Sequence, residues 1–475
     1  MTEGTVFELA EPQEPALAPP TRPEAARVLR PVREQIQWAP RDLGVAVPED
    51  HPARAIWGLL EKLDLAAFYG SIKAVLDRPG RPTTDPQVLL PLWLLATVEG
   101  VGSARRLARL CQEHDAYRWL CGGVPINYHM LSDFRVAHQV APSLRSGQAL
   151  DDLLAQVVAS LMAAGAVTLE RVAQDGMRVR ASAGAASFRR KIRLKEYLET
   201  ARAQVQRLAQ EREHPDPFAS LRAGSGVGQR ERAARERAAR ERAARERVKR
   251  VERALEYLPQ VQAAKERQQQ TLATGKRDKV GAPRASTTDP EARVMKPALE
   301  RSEGMPDGGF RPAYNAQLAT DRASGVIIGV AVTTEGNDAG QAVPMEEQVA
   351  QRAGQHPEAY LMDGGFATRE AITTLEDRGV SVYAPVRLPW HKPEEERPQP
   401  HYGDSRQVAV RRERMATEEA KAIYRERGAT AEWANAQVRL HGLCQFTVRG
   451  VAKVTTALLL VAIAHDLLRW IALTT

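Results

Sequence analysis

Cysteine is nearly missing from this chain: it holds only Cys111, Cys121 and Cys444 in 475 residues. No two of them stand in a Cys-x-x-Cys spacing and three cannot all pair, which argues against a disulfide scaffold and a zinc motif. They are read as reduced, mostly buried thiols of a cytoplasmic protein. The N-terminus lacks a basic segment running into an apolar one, so no secretory signal is expected. Long apolar runs are scarce too. The only one, Thr455 to Leu473, is interrupted by His465, Asp466 and Arg469. That pattern suits a buried C-terminal helix better than a membrane span, and no membrane partner is expected. There is also no convincing motif for a nucleophilic side chain.

What the chain does have is positive charge. Lys and Arg number 67 against 59 Asp and Glu, a net charge of +8 with a pI of about 9.4. Basic surface gains by neutralising phosphates and releasing their counterions, which favours a polyanionic partner. A mildly basic soluble protein is the alternative.

The length allows two or three domains. Residues 1–45 are Pro-rich among acids and small residues and read as a flexible leader. From 46 to 164 the apolar spacing is helical, with Ile56, Leu59, Leu60 and Leu63 in one helix and another beginning after Asp85-Pro86. A third starts at the cap residue Ser103 and displays Arg105, Arg106 and Arg109, and a fourth contains Ser132 to Arg135. By spacing alone, these helices are either a helix-turn-helix reader of DNA or a plain bundle with a solvated arginine face.

Two strand-like runs carry carboxylates. In the first, Val172 to Ala181, Asp175 shares a face with Ala173, Met177, Val179 and Ala181. The second, Ala359 to Met362, runs straight into Asp363, and a third acid, Glu432, follows in a helical segment. Two acids on strands and one on a late helix is the layout of an RNase H-like nuclease. There the acids hold two divalent ions about 3.5–4 Å apart on either side of a phosphodiester. The intervening strands, Tyr314 to Asp321 and Gly325 to Thr334, would complete an antiparallel meander. Strand and helix alternate beyond it, which calls for parallel packing and puts Asp363 at the carboxyl end of the sheet.

These residues resemble the DDE-type transposases of bacterial insertion sequences, in the branch with a Tyr-Arg-Glu-Lys signature. The motifs are Asp175-Gly176, Asp363-Gly364-Gly365-Phe366, and Tyr424-x-x-Arg427 followed by Glu432 and Arg439, with support from Thr288 to Lys296 and Tyr314 to Gln317. Met177 stands where Thr is usual, Arg439 where Lys is usual, and Glu432 lies one residue further from Arg427 than in the commonest spacing. The resemblance implies a mixed α/β protein: an all-α N-terminal domain that grips terminal inverted repeats, then an RNase H-like catalytic domain over 165–475. It implies Asp175, Asp363 and Glu432 as the catalytic acids and ligands of Mg2+, with Mn2+ able to substitute. Tyr424, Arg427 and Arg439 would contact DNA phosphates or position the acid. The partners would be double-stranded DNA, both element ends and target, and further copies of the chain in a dimer or larger multimer. A hydrolytic nuclease without strand joining and a non-catalytic DNA-binding relic are the alternatives.

The catalytic domain is interrupted at 188–283 by a charged helical insertion. Its repeat of Arg-Glu-Arg-Ala-Ala, from Arg230 to Arg247, has period five. Five residues advance a helix by about 500°, so the repeat makes no lasting apolar seam, and a tight coiled coil is disfavoured. Four acid-first i,i+4 pairs, Glu231–Arg235 through Glu246–Arg250, support a solvated helix. Between Arg230 and Arg250 ten Lys or Arg face four Glu, so an arm on flanking DNA is equally open. Residues 387–408 read as a loop, with His391 and His401 solvated. Gly428 is a candidate helix breaker before Glu432.

Overall fold

Strand β1 (Arg171–Arg180) is the strand around which the sheet is built. Val172, Ala173, Met177 and Val179 are all buried, as expected of a strand covered on both faces. The computed structural model describes residues 42–70, 72, 83–139, 148–213, 227–271, 281–296, 310–386 and 402–474. The expected leader, but for its last residues, and the loop histidines His391 and His401 lie outside them.

Past β1 the chain makes a small two-stranded ladder, β2 (Phe188–Arg189) with β3 (Ala285–Ser286), and then β4 (Arg293–Met295). Strand β5 (Arg311–Asp321) runs antiparallel to β1, from Val172 opposite Asp321 to Arg180 opposite Ala313. The other edge of β5 is shared by β4 and β6 (Ile327–Thr333), both antiparallel to it. On its far side β1 pairs in parallel with β7 (Ala359–Met362), and β7 in parallel with β8 (Ser381–Tyr383). The result is a mixed α/β sheet of six strands. Helices Ala342–Ala353 and Arg369–Asp377 make the crossovers that parallel pairing needs.

Residues 43–163 are helical among the described residues. Side chains of Asp85, Ser103 and Asn127 accept from the free amides of the Pro86–Val98, Ala104–Glu113 and Tyr128–Ala137 helices, as N-caps do. Helices Asp115–Cys121 and Ala149–Ala163 carry no such signal in the sequence. The core runs without a break from Leu90 and Leu154 through Leu458 and Ile463 to Val330. Its spine is the Val451–Thr474 helix, long and apolar enough to cross a membrane but two-thirds buried inside this fold.

The insertion is a pair of helices, Lys191–Glu213 and Val227–Thr271, packed through Leu194, Leu198, Val251, Ala254 and Leu258. The seam lies beyond the five-residue repeat, within which Ala244 is the one buried residue from Glu231 to Arg247. Of the four expected pairs, Glu231–Arg235 and Glu241–Arg245 form, while Glu236 meets Arg232. The two helices carry nineteen Lys and Arg against eleven Glu, an excess equal to the net charge of the whole chain.

Two local expectations fail. Helix Arg406–Ala416 begins inside the stretch read as loop, because Ser405 caps it by accepting from the Val408 amide at 3.3 Å. Gly428 does not break Glu418–Leu440, which is one continuous helix. A mid-helix glycine costs about 1 kcal/mol, less than what burial of Ala420, Ala431, Ala434 and Val438 returns.

Candidate active site

The parallel ladder between β1 and β7 ends at Gln174 opposite Met362. The next residues on these neighbouring strands are Asp175 and Asp363. Strands in a sheet lie about 4.8 Å apart, so the register brings two carboxylate-bearing positions together from 188 residues apart in sequence. Asp363 is exposed, and its side chain makes no hydrogen bond or ion pair among the described residues. Asp175 is half-buried and held from the Glu418–Leu440 helix. Asn435 donates from Nδ2 to its Oδ2 at 2.8 Å, and Nη1 of Arg427 lies 3.7 Å from its Oδ1. Burial pushes the Asp175 carboxyl above its ordinary value, and the nearby Asp338 adds to this. The Arg427 cation, the Gly176 amide and Asn435 pull it back.

Arg427, Ala431 and Asn435 recur at i,i+4 and form the stripe that faces β1. Tyr424 stands beneath the Arg427 guanidinium, 5.9 Å from its ring centre. Glu432 and Arg439 are exposed, one turn before and one turn after Asn435 on the same side of the helix. Helical spacing thus puts Glu432 and Arg439 on the side of the helix that bears Asn435, the one of the three in contact with the acid on β1. Arg105, Arg106 and Arg109 are exposed on the Ala104–Glu113 helix, opposite buried Leu107, Ala108 and Cys111. No contact among the described residues joins them to the acids; Arg105 stacks on Tyr128 at 5.2 Å.

Asp338 is the residue that reading the sequence missed. It lies between β6 and the Ala342–Ala353 helix, and its Oδ1 accepts from Asn315 Nδ2 and Gln317 Nε2, both at 2.7 Å. Arg178 approaches its Oδ2 at 3.6 Å. The absence of a side chain at Gly176 makes this possible, since a Cβ there would sit 2.4 Å from Asp338 Oδ1 and 2.5 Å from Gln317 Nε2. Asp338 also reaches towards Gly365, two residues after Asp363. A signal did exist: Asn315 and Gln317 are fully buried amides on one face of β5, and buried amides need partners. Beside them Gln174 donates to Gln317 at 3.1 Å and accepts from Tyr360 at 2.9 Å, so β1 rests on a polar network directly under the candidate site.

The donor set near Asp175 is carboxylate oxygen, which suits a hard divalent cation better than a soft one. The carboxylates of Asp363 and Glu432 accept no hydrogen bond among the described residues, and Oδ1 of Asp175 faces the Arg427 cation, so the three fit as ligands. No three His, Cys, Asp or Glu side chains among the described residues already stand close enough to enclose an ion.

Two family models match the chain. One, described as a transposase domain of the DUF772 type, matches residues 41–137, and the other, described as a transposase DDE domain, matches residues 282–467. The chain is a DDE-type insertion-sequence transposase. No curated protein and no solved structure matches it. The DDE match includes Asp363 and Glu432 but begins beyond β1, which carries Asp175. The other match covers the helices that carry Arg105, Arg106 and Arg109.

Proposed function

We propose that this transposase cuts the ends of its insertion sequence and joins them to target DNA, using Asp175, Asp363 and Glu432 as ligands for two Mg2+ ions. The observation that carries the reading is the placement of Asp175 and Asp363 just past the last rung of the β1–β7 ladder, under a helix that bears Glu432. The strand order β6–β5–β1–β7–β8, with only β5 running against the rest, supports an RNase H-like catalytic fold. When bound, the ions would lower the pKa of an attacking water or 3′-hydroxyl and stabilise the leaving oxygen. The chain's own part is to hold the carboxylates in register. Asn435 fixes one oxygen of Asp175, and Arg427 balances its charge until a cation arrives. Direct transesterification needs no protein nucleophile, in keeping with the lack of such a motif. On this reading Tyr424, Arg439, Arg105, Arg106 and Arg109 contact DNA, and the active species is a dimer or larger.

The test is cleavage and joining of a labelled element-end duplex with Mg2+ or Mn2+. Wild type should do both, and Asp175→Ala, Asp363→Ala and Glu432→Ala should do neither while still binding the duplex. If wild type binds the ends but cuts nothing with either metal, the catalytic reading fails and a DNA-binding relic replaces it.

A further inference from the structure

Next to the Asp338 loop the surface opens into a cleft of about 1100 Å3. It runs between the C-terminal part of the long insertion helix, the strand β4 and the residues that follow β6. Its walls carry Arg178, Lys265, Arg267, Arg284 and Lys296, and at its edge stands Phe310, a large aromatic side chain left 51% exposed. Arg284 and Lys296 are exposed and have no ion-pair partner among the described residues. Arg267 has only a loose contact with Glu335 at 3.6 Å. Lys265 donates from Nζ to the carbonyls of Gly281 and of Ala282, the latter at 3.1 Å, and burial first and then Arg284 push its ammonium below its ordinary value. Arg178 ties the cleft to the candidate site, because it lies three residues after Asp175 and reaches Asp338.

Like charges gathered in a concave site are costly unless an anion fills it, and a concave basic wall focuses the field that attracts one. A carboxylate metabolite would explain the cations but not Phe310. Phosphates regularly spaced along a strand, with bases free to stack, use both features. We propose that this cleft binds a single-stranded segment of DNA next to the cleavage point, with its phosphates on Arg267, Arg284 and Lys296 and one base stacked on Phe310. The inference rests on the nuclease reading for its substrate, and it assigns a role to the insertion: its long helix forms one wall of the channel.

The test uses the full-length protein and a fluorescein-labelled oligothymidylate, with binding followed by anisotropy across a potassium chloride series. Two variants are compared with wild type, Phe310→Ala and the double variant Arg284→Ala/Lys296→Ala. These side chains are exposed, so thermal midpoints should stay with wild type. Loss of two phosphate contacts should lower the salt slope by about 1.4, at roughly 0.7 per contact on a single strand. Loss of one stacked base should weaken binding roughly five- to 150-fold. Wild-type affinity and slope in both variants would overturn the proposal. So would equal binding of an intact duplex that Phe310→Ala leaves unchanged, since the cleft would then hold duplex backbone. Element-end cleavage is measured alongside. If wild type cuts nothing but the variants lose strand binding as expected, the nuclease reading falls and the cleft assignment stands.

Discussion

Replacing Gly176 by alanine adds one methyl group at the closest approach in the candidate site. The backbone at Gly176 is not in the left-handed region, so alanine alone would stabilise the chain by roughly 0.4–1 kcal/mol through the unfolded state. Against this, the new Cβ would lie 2.4 Å from Asp338 Oδ1, 2.5 Å from Gln317 Nε2 and 2.9 Å from Asn315 Oδ1. To restore contact distance Asp338 must withdraw by about 1 Å, which takes its 2.7 Å bonds from Asn315 and Gln317 past hydrogen-bonding range. Such bonds to a charged group contribute about 1.5–3 kcal/mol each. Asp338 keeps 16% of its side-chain surface in water, which can partly replace them. Crediting each bond with about 1 kcal/mol and adding mild overpacking, the net destabilisation is about 1–3 kcal/mol. Urea unfolding of wild type, Gly176→Ala, Asp338→Ala and the double variant measures it. The cost of the methyl should shrink by at least about 1 kcal/mol in the Asp338→Ala background, since the two sites touch. A Gly176→Ala chain as stable as wild type, or an equal cost in both backgrounds, would refute the reasoning.

Three further outcomes follow. Asp466 is fully buried on the Val451–Thr474 helix, and its Oδ1 accepts from the Ile327 amide at 2.8 Å. Burial raises its carboxyl well above its ordinary 3.8, against the pull of Ile327, Arg352 and Arg469. The folded state therefore holds a proton that the unfolded state has lost, and stability falls as pH rises above 3.8. Asp466→Asn should flatten that slope and match or exceed wild type at neutral pH by urea unfolding; an unchanged slope would refute the assignment. Cys444 is exposed while Cys111 and Cys121 are buried. A thiol reagent should therefore label one cysteine quickly and the other two only after denaturant, and three fast labels would contradict the packing. Arg427→Ala should weaken the hold on Asp175, and the metal concentration needed for half-maximal cleavage should shift by several-fold with little change in the unfolding midpoint. No shift would mean that Arg427 acts elsewhere.

The strands that carry or lead into Asp175 and Asp363 were legible because each rests on local pattern, a short apolar run interrupted or ended by one acid. The caps at Asp85 and Ser103 were legible for the same reason. Asp338 was not, because what singles it out is the demand of Asn315 and Gln317, two buried amides on another strand. The cleft was hidden in the same way, since Arg178, Lys265, Arg284 and Lys296 stand on separate segments. The Arg406–Ala416 helix was masked by its Arg-rich, apolar-poor sequence, and Gly428 gave a local signal for a break that tertiary packing overrules.

The two insertion helices hold an excess of eight positive charges, and the chain as a whole has a net charge of +8. The rest of the chain, taken together, therefore carries no net charge. Proteins near zero charge lose the mutual repulsion that keeps molecules apart in solution. The helix pair of the insertion thus also helps to keep the transposase colloidally stable: it supplies repulsion for a remainder whose charges cancel. Trimming it would bring the isoelectric point close to neutral and move the solubility minimum into the working pH range, whatever the fate of the fold.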